Sequence, residues 1–232
     1  MERKYAKIIF EKNKNDYNLI AAEFSRTRHF NRDIKDFSKF VSSNDKILDI
    51  GCGNGRLLGV VEKRRPAYIG LDVSKKLINI AKENYPNGNF QVFDGLTIPF
   101  PDDYFDKVFA IRVLHHIPSK EFRQKFLKEI RRVLKPQGLL ILTVWSWHSK
   151  DKRIFPSLAK VFCLKLLFPA KFDFGDSFIS WQNKIKRYYH FFTKRGLEKL
   201  VKNIGFKIKQ SYLSPKKAKY LDIYLVAEKT RL

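Results

Sequence analysis

Lys46-Ile47-Leu48-Asp49-Ile50-Gly51-Cys52-Gly53-Asn54-Gly55 decides how this chain is read. The apolar run Ile47 to Ile50 reads as a buried parallel strand. Three glycines spaced by single residues follow, and Arg56 to Val61 opens a helical pattern. Glycine, lacking a Cβ, lets the backbone turn sharply and approach a ligand, while a helix start offers free N–H groups. The phosphate-binding pattern G-x-G-x-x-G is not met. Its third glycine comes one residue early here, and Arg56 stands where that pattern wants glycine. An ordinary strand-to-helix turn is the bland alternative.

Outward from the turn, strand and helix alternate. Ala67 to Asp72 is a second strand ending in an acid that can accept both ribose hydroxyl hydrogen bonds, as in dinucleotide folds. Ser74 caps a helix from Lys75 to Asn84, which Pro86 and Gly88 stop. A third strand from Asn89 runs to Asp94 and Gly95, and Asp94 is placed to meet an adenine amino group; alone it would be a turn former. Lys107 to Arg112 is the fourth strand, and His115 and His116 follow at its carboxyl end, where ligands of open α/β sheets bind. Ser119 caps a long helix through Leu134, Lys135 to Gly138 ends it, and Leu139 to Trp145 is the fifth strand. Residues 1–44 read as amphipathic helices. Ser157 to Phe168 reads as an amphipathic helix packed on the core, with a cover for the active site, a partner dock or a membrane contact as the alternatives. Ile185 to Thr193 interleaves basic and aromatic residues, as single-stranded RNA binding uses, and an aromatic core with a solvated rim is the rival reading. Gly205 to Leu213 and Tyr220 to Ala227 form a closing antiparallel pair.

The 232 residues suffice for one domain with an elaboration. Met1 to Lys14 is mostly charged, and no apolar run approaches the roughly 20 residues a bilayer span needs, so a cytoplasmic protein without a transmembrane segment is expected. Two cysteines make neither a disulfide framework nor a metal site, and no metal is expected. Forty-seven Lys and Arg against 23 Asp and Glu leave a formal charge of +24, which favours a nucleic-acid partner over an anionic membrane surface. Solvated lysines of no specific role are the plain alternative.

The turn, the acids at later strand ends and the closing pair together resemble the class I S-adenosylmethionine (SAM) methyltransferases. The resemblance narrows through Tyr17 to Ala21, Phe24 to Arg28, Leu48 to Gly55, Val113 to His116, Val144-Trp145 and Arg187-Tyr188-Tyr189-His190. Together these look like the tRNA wobble-uridine (5-carboxymethyluridine) carboxyl methyltransferases. The resemblance implies a Rossmann-like seven-stranded sheet of parallel strands with one antiparallel strand and helices on both faces. An N-terminal helical extension and an insertion after the fifth strand complete it. Residues 1–44 would cap a SAM-binding core of residues 45–149, with a substrate-side insertion at 150–192 and a closing helix and strand pair at 193–232. Asp49 would orient the loop and the ligand's ammonium, Gly51 and Gly53 would make room for its methionine part, and Gly55, Asp72, Asp94 and Gly95 would complete the cofactor set. The family esterifies the carboxylate of 5-carboxymethyluridine in tRNA, and its eukaryotic members work with a small zinc-binding activator subunit. Arg112 stands where the family commonly has a small residue.

A carboxylate with a pKa of about 4 is already ionised at neutral pH, so its methylation needs no strong general base. It must be held in line with the methyl carbon and stripped of water. Arg28, His115, His116, Arg187 and His190 are the candidates to hold it, and Trp145, Trp181, Tyr188 and Tyr189 would stack on or enclose the base. A methyltransferase acting on a small quinone or lipid precursor, and a scaffold without catalysis, are the competing readings.

Overall fold

In the computed structural model the described residues are 1–27, 32–148, 154–182, 185–215 and 221–230, with backbone alone at 32, 33, 154 and 155. Seven strands form the main sheet: β1 (Lys46–Ile50), β2 (Ala67–Asp72), β3 (Asn89–Val92), β4 (Phe105–Ile111), β5 (Leu134–Trp145), β8 (Phe206–Leu213) and β9 (Asp222–Lys229), in the order β3-β2-β1-β4-β5-β9-β8. The first five are mutually parallel, and β9 is antiparallel to both β5 and β8. This is the class I methyltransferase sheet. The strand order reverses between β1 and β4, which opens a crevice at their carboxyl ends.

Both faces of the sheet are covered, so its strands are near-continuous apolar runs. Strand alternation divides the core in two. Leu48, Ile50, Val108, Ala110, Leu140 and Leu142 enter one cluster, whereas Ile47, Phe109 and Ile141 enter the other. The helices are α1 (Arg3–Arg26), α2 (Arg32–Lys35), α3 (Leu58–Val61), α4 (Lys75–Asn84), α5 (Lys120–Val133), α6 (Ile154–Leu167) and α7 (Lys194–Asn203). Side chains start three of them. Ser74 Oγ accepts from Leu77 N, Ser119 Oγ from Phe122 N and Thr193 Oγ1 from Gly196 N.

Four local expectations change. The third strand stops at Val92, before Asp94. The fifth begins at Leu134, because Phe105 pairs with Leu134 and, after a register shift, Lys107 pairs with Leu139. The insertion also builds a separate hairpin, β6 (Asp176–Trp181) and β7 (Ile185–His190), which composition alone had marked only as basic and aromatic. Helix α6 is not amphipathic as expected, since its outward face is apolar as well.

Leu127 is fully buried in the larger cluster beneath α5. Leu127→Ala is expected to lower stability by about 3 kcal/mol, read as a fall in the urea midpoint at unchanged slope.

Candidate active site

At the end of β1 the chain turns through Gly51, whose φ is +75° and whose added Cβ would lie 2.3 Å from Val113 Cγ2. Any side chain there would drive apart the ends of β1 and β4, so glycine is required by both conformation and space. Gly53 (φ +56°) turns its N–H to Asp72 Oδ2 at 2.9 Å. The other Asp72 oxygen accepts from Ser74 N at 2.8 Å, so backbone donors hold this buried acid at the end of β2. Burial raises its pKa, against the lowering effect of those N–H groups. Asp49 is buried too, accepts from Tyr68 Oη at 2.7 Å and is pushed up to about 7, chiefly by burial. Gly51, Gly53, Asp49, Asp72 and Gly95 all line one cavity at the switch point. Gly55 packs on Phe90 outside it. Asp94 is exposed and accepts from Leu96 N and Thr97 N, so its carboxylate closes a turn and does not line the cavity.

The far end of the cavity is lined by His115, His116, Trp145, Arg187 and Tyr189. Helix α1 and hairpin β6–β7 wall it in. Lys12 Nζ donates to Lys186 O at 2.8 Å, and Asn13 Nδ2 donates to His116 O at 2.8 Å. The histidine pair has a readable proton arrangement. Trp145 N donates to His115 Nδ1 at 3.2 Å, which leaves the proton on His115 Nε2, 3.1 Å from His116 Nε2. His116 Nδ1 lies 3.2 Å from Tyr188 O and so carries its own proton. Tyr17 Oη completes the group, 2.8 Å from His116 Nε2.

Arg187 is 4% exposed and its Nη1 donates to Tyr17 Oη at 3.0 Å. Its guanidinium lies 5.3 to 5.6 Å from the ring centres of Tyr17, Trp181 and Tyr189. Its Nε is buried without a hydrogen-bond partner, and among the described residues it forms no ion pair. Arg112, also at the cavity, is tied instead to Asp222 through Nε and Nη2.

Strand period sorts the Arg187-Tyr188-Tyr189-His190 motif. Arg187 and Tyr189 face the cavity. Tyr188 and His190 point the other way, where Tyr188 Oη donates to Asp176 Oδ1 at 2.6 Å and His190 Nδ1 lies 2.8 Å from the same oxygen. Tyr188 and His190 therefore face away from the cavity, unlike the place at the substrate expected for them. Burial lowers the His190 pKa, and Arg123 adds to this. Trp145 and Tyr189 line the cavity but stack on each other, with centres 4.6 Å apart and planes 5° from parallel. Trp181 is half-buried beside Arg187 and outside the lining. Arg28 lies outside the described residues.

Asn13 and Tyr17 were not singled out as site residues. The signal for Asn13 was present: α1 buries Ala6, Ile9, Asn13, Asp16 and Ile20 at spacings of three and four, so polar groups occupy a core-facing stripe. Asn13 Oδ1 is a buried acceptor with no partner among the described residues.

Because Asp49 has a raised folded pKa, it contributes stability that is fully present below its unfolded value and is lost as pH rises through about 7. Asp49→Asn cannot titrate. Wild type is expected to lose stability relative to this variant between about pH 4 and pH 7 and to track it above, in urea titrations across that range.

Residues 48–142 match the family model described as a methyltransferase domain. The chain is 33% identical over 196 residues to a protein of Encephalitozoon cuniculi classed as a methyltransferase, covering 83% of this chain and 85% of that one. It is 35% identical over 138 residues to the tRNA (carboxymethyluridine(34)-5-O)-methyltransferase of Arabidopsis thaliana, covering 58% of this chain and 33% of the plant protein. A solved SAM-dependent methyltransferase of Methanosarcina mazei superposes with a TM-score of 0.70 at 21% identity, over 88% of this chain and all of the other. By sheet order, glycine turn and these similarities, the chain belongs to the SAM-dependent methyltransferases of class I fold, with SAM as cofactor.

Proposed function

We propose that the chain is a tRNA methyltransferase that esterifies the carboxylate of 5-carboxymethyluridine at the anticodon wobble position. The observation that carries this reading is Arg187, a buried guanidinium at the cavity with an unpaired Nε and no ion pair among the described residues. Asp16 acts on it by charge without forming an ion pair, and a substrate carboxylate would offset the cost of burying this cation through charge-assisted hydrogen bonds. The similarity to the Arabidopsis tRNA enzyme and the charge of +24 support tRNA as the carrier of that carboxylate. A small zinc-binding activator subunit enters the reading through the family resemblance.

The cofactor supplies an electrophilic methyl group on a sulfonium. Asp72 would hold the ribose hydroxyls with the lone pairs its backbone donors leave, and Asp49, beneath the glycine turn, would face the ammonium. A carboxylate oxygen forms the new bond to carbon while the carbon–sulfur bond breaks toward sulfur, so no proton is released. The histidine pair suits that chemistry: His116 Nε2 already faces the proton on His115 Nε2 and the Tyr17 hydroxyl. Its part is to hold Tyr17 and, through it, Arg187. The stack of Trp145, Tyr189 and His115 would keep water from this end of the cavity.

The test is nucleoside mass spectrometry of carboxymethyluridine-containing tRNA incubated with methyl-labelled SAM, with and without a zinc-binding activator. A base-labile methyl ester on the wobble uridine is expected. Label appearing only on small carboxylic acids would move the function to a small-molecule methyltransferase. Arg187→Met should lower kcat/KM by about 100-fold or more while calorimetric SAM binding stays intact. Asp72→Ala should weaken SAM binding by about 100-fold.

A further inference from the structure

Helix α6 carries a feature that methyl transfer leaves unused. Its inner side is anchored: Leu158 packs with Trp145, Ile179, Tyr189 and Phe191, Val161 is buried, and Ser157 Oγ is bonded to the backbone of Phe178. Its outer arc carries Ala159, Phe162, Cys163, Leu166 and Leu167, with Lys160 at the margin, all exposed. Leu166 is 69% and Leu167 72% exposed, and Phe168 and Phe174 extend the apolar area beyond the helix end. A helix apolar on both sides is one that something covers.

The charge around this face selects what covers it. Between Asp151 and Asp173 the sequence holds Lys152, Arg153, Lys160, Lys165 and Lys171 and no acid. Lys165 Nζ sits 4.8 Å from the centre of Phe174, and Lys171 Nζ 5.0 Å from that of Phe168, so cations lie beside the exposed rings. A helix of 14 residues is about 21 Å long, and no described helix is long and apolar enough to cross a membrane, so α6 would lie in the plane of a surface. Aliphatic side chains offer nothing to RNA phosphates. A lipid surface with anionic headgroups meets both demands, an apolar layer for the arc and negative charge for the lysines.

We propose that the outer face of α6, from Phe162 to Phe168 with Phe174, docks the protein reversibly on an anionic phospholipid surface. The proposal is independent of the tRNA reading.

The chain itself provides the probe. Cys163 is exposed on this face and Cys52 is buried, so an environment-sensitive fluorophore can be placed on Cys163 of the full chain. Vesicles of phosphatidylcholine with phosphatidylserine are expected to shift its emission to the blue, whereas phosphatidylcholine alone leaves it unchanged. In sedimentation, Leu166→Ser/Leu167→Ser/Phe168→Ser keeps the net charge and should bind the mixed vesicles about ten-fold more weakly, with SAM binding retained as the sign of folding. Raising salt to about 0.5 M should remove most binding of the variant and less of the wild type's. Unchanged emission on the mixed vesicles, or equal binding by wild type and variant, would overturn the proposal, the second by reducing any attraction to overall charge. A concentration-dependent emission shift without vesicles would overturn it too, since a second copy would then cover the face.

Discussion

The cost of keeping a guanidinium out of water governs the end of the cavity that α1 and the hairpin close. Arg187 lies on the cavity face of β7, under Tyr17 of α1 and between the rings of Tyr189 and Trp181. Ring faces offset part of that cost, and the Tyr17 hydroxyl offsets a little more. Everything that shapes the pocket converges on this residue. The hairpin positions it, α1 closes over it, and the histidine pair after β4 fixes Tyr17. A site with a cation already desolvated and pre-aimed spends no reorganisation when an anion arrives.

The cofactor end follows the opposite electrostatic rule. There two acids, Asp49 and Asp72, are buried at neighbouring strand ends, both with raised pKa values, and close packing of Gly51 against Val113 keeps the two halves of the sheet together. Acids at one end and the Arg187 guanidinium at the other make the cavity polar along its length. A cationic methyl donor and an anionic acceptor would each find its complement, and their mutual attraction would favour the reactive order.

The parts of this arrangement that strand ends dictate were legible in the sequence. Asp72, His115 and His116 could be placed because a parallel strand delivers its last residues to the carboxyl edge of the sheet. The helix caps at Ser74, Ser119 and Thr193 were legible for a similarly local reason. What could not be read needs partners distant in sequence. Sorting Arg187 and Tyr189 from Tyr188 and His190 requires knowing that the motif is a strand, and its pairing with Asp176–Trp181 is not visible in a basic and aromatic composition. The turn role of Asp94 was not legible, because β3 stops two residues before it and leaves its carboxylate to the N–H groups of Leu96 and Thr97. The apolar excess of residues 154–172 was legible, but not which arc of α6 stays outside, since the face a helix turns to the core depends on what stands beneath it.

The central claim is that the cavity selects a carboxylate through Arg187. The direct measurement compares the affinity of this protein, saturated with S-adenosylhomocysteine, for two anticodon stem-loops, one with carboxymethyluridine at the wobble position and one with the neutral carbamoylmethyl analogue. The account predicts that wild type prefers the acid by about 100-fold and that Arg187→Met abolishes the preference. Equal affinity of wild type for acid and amide would contradict it.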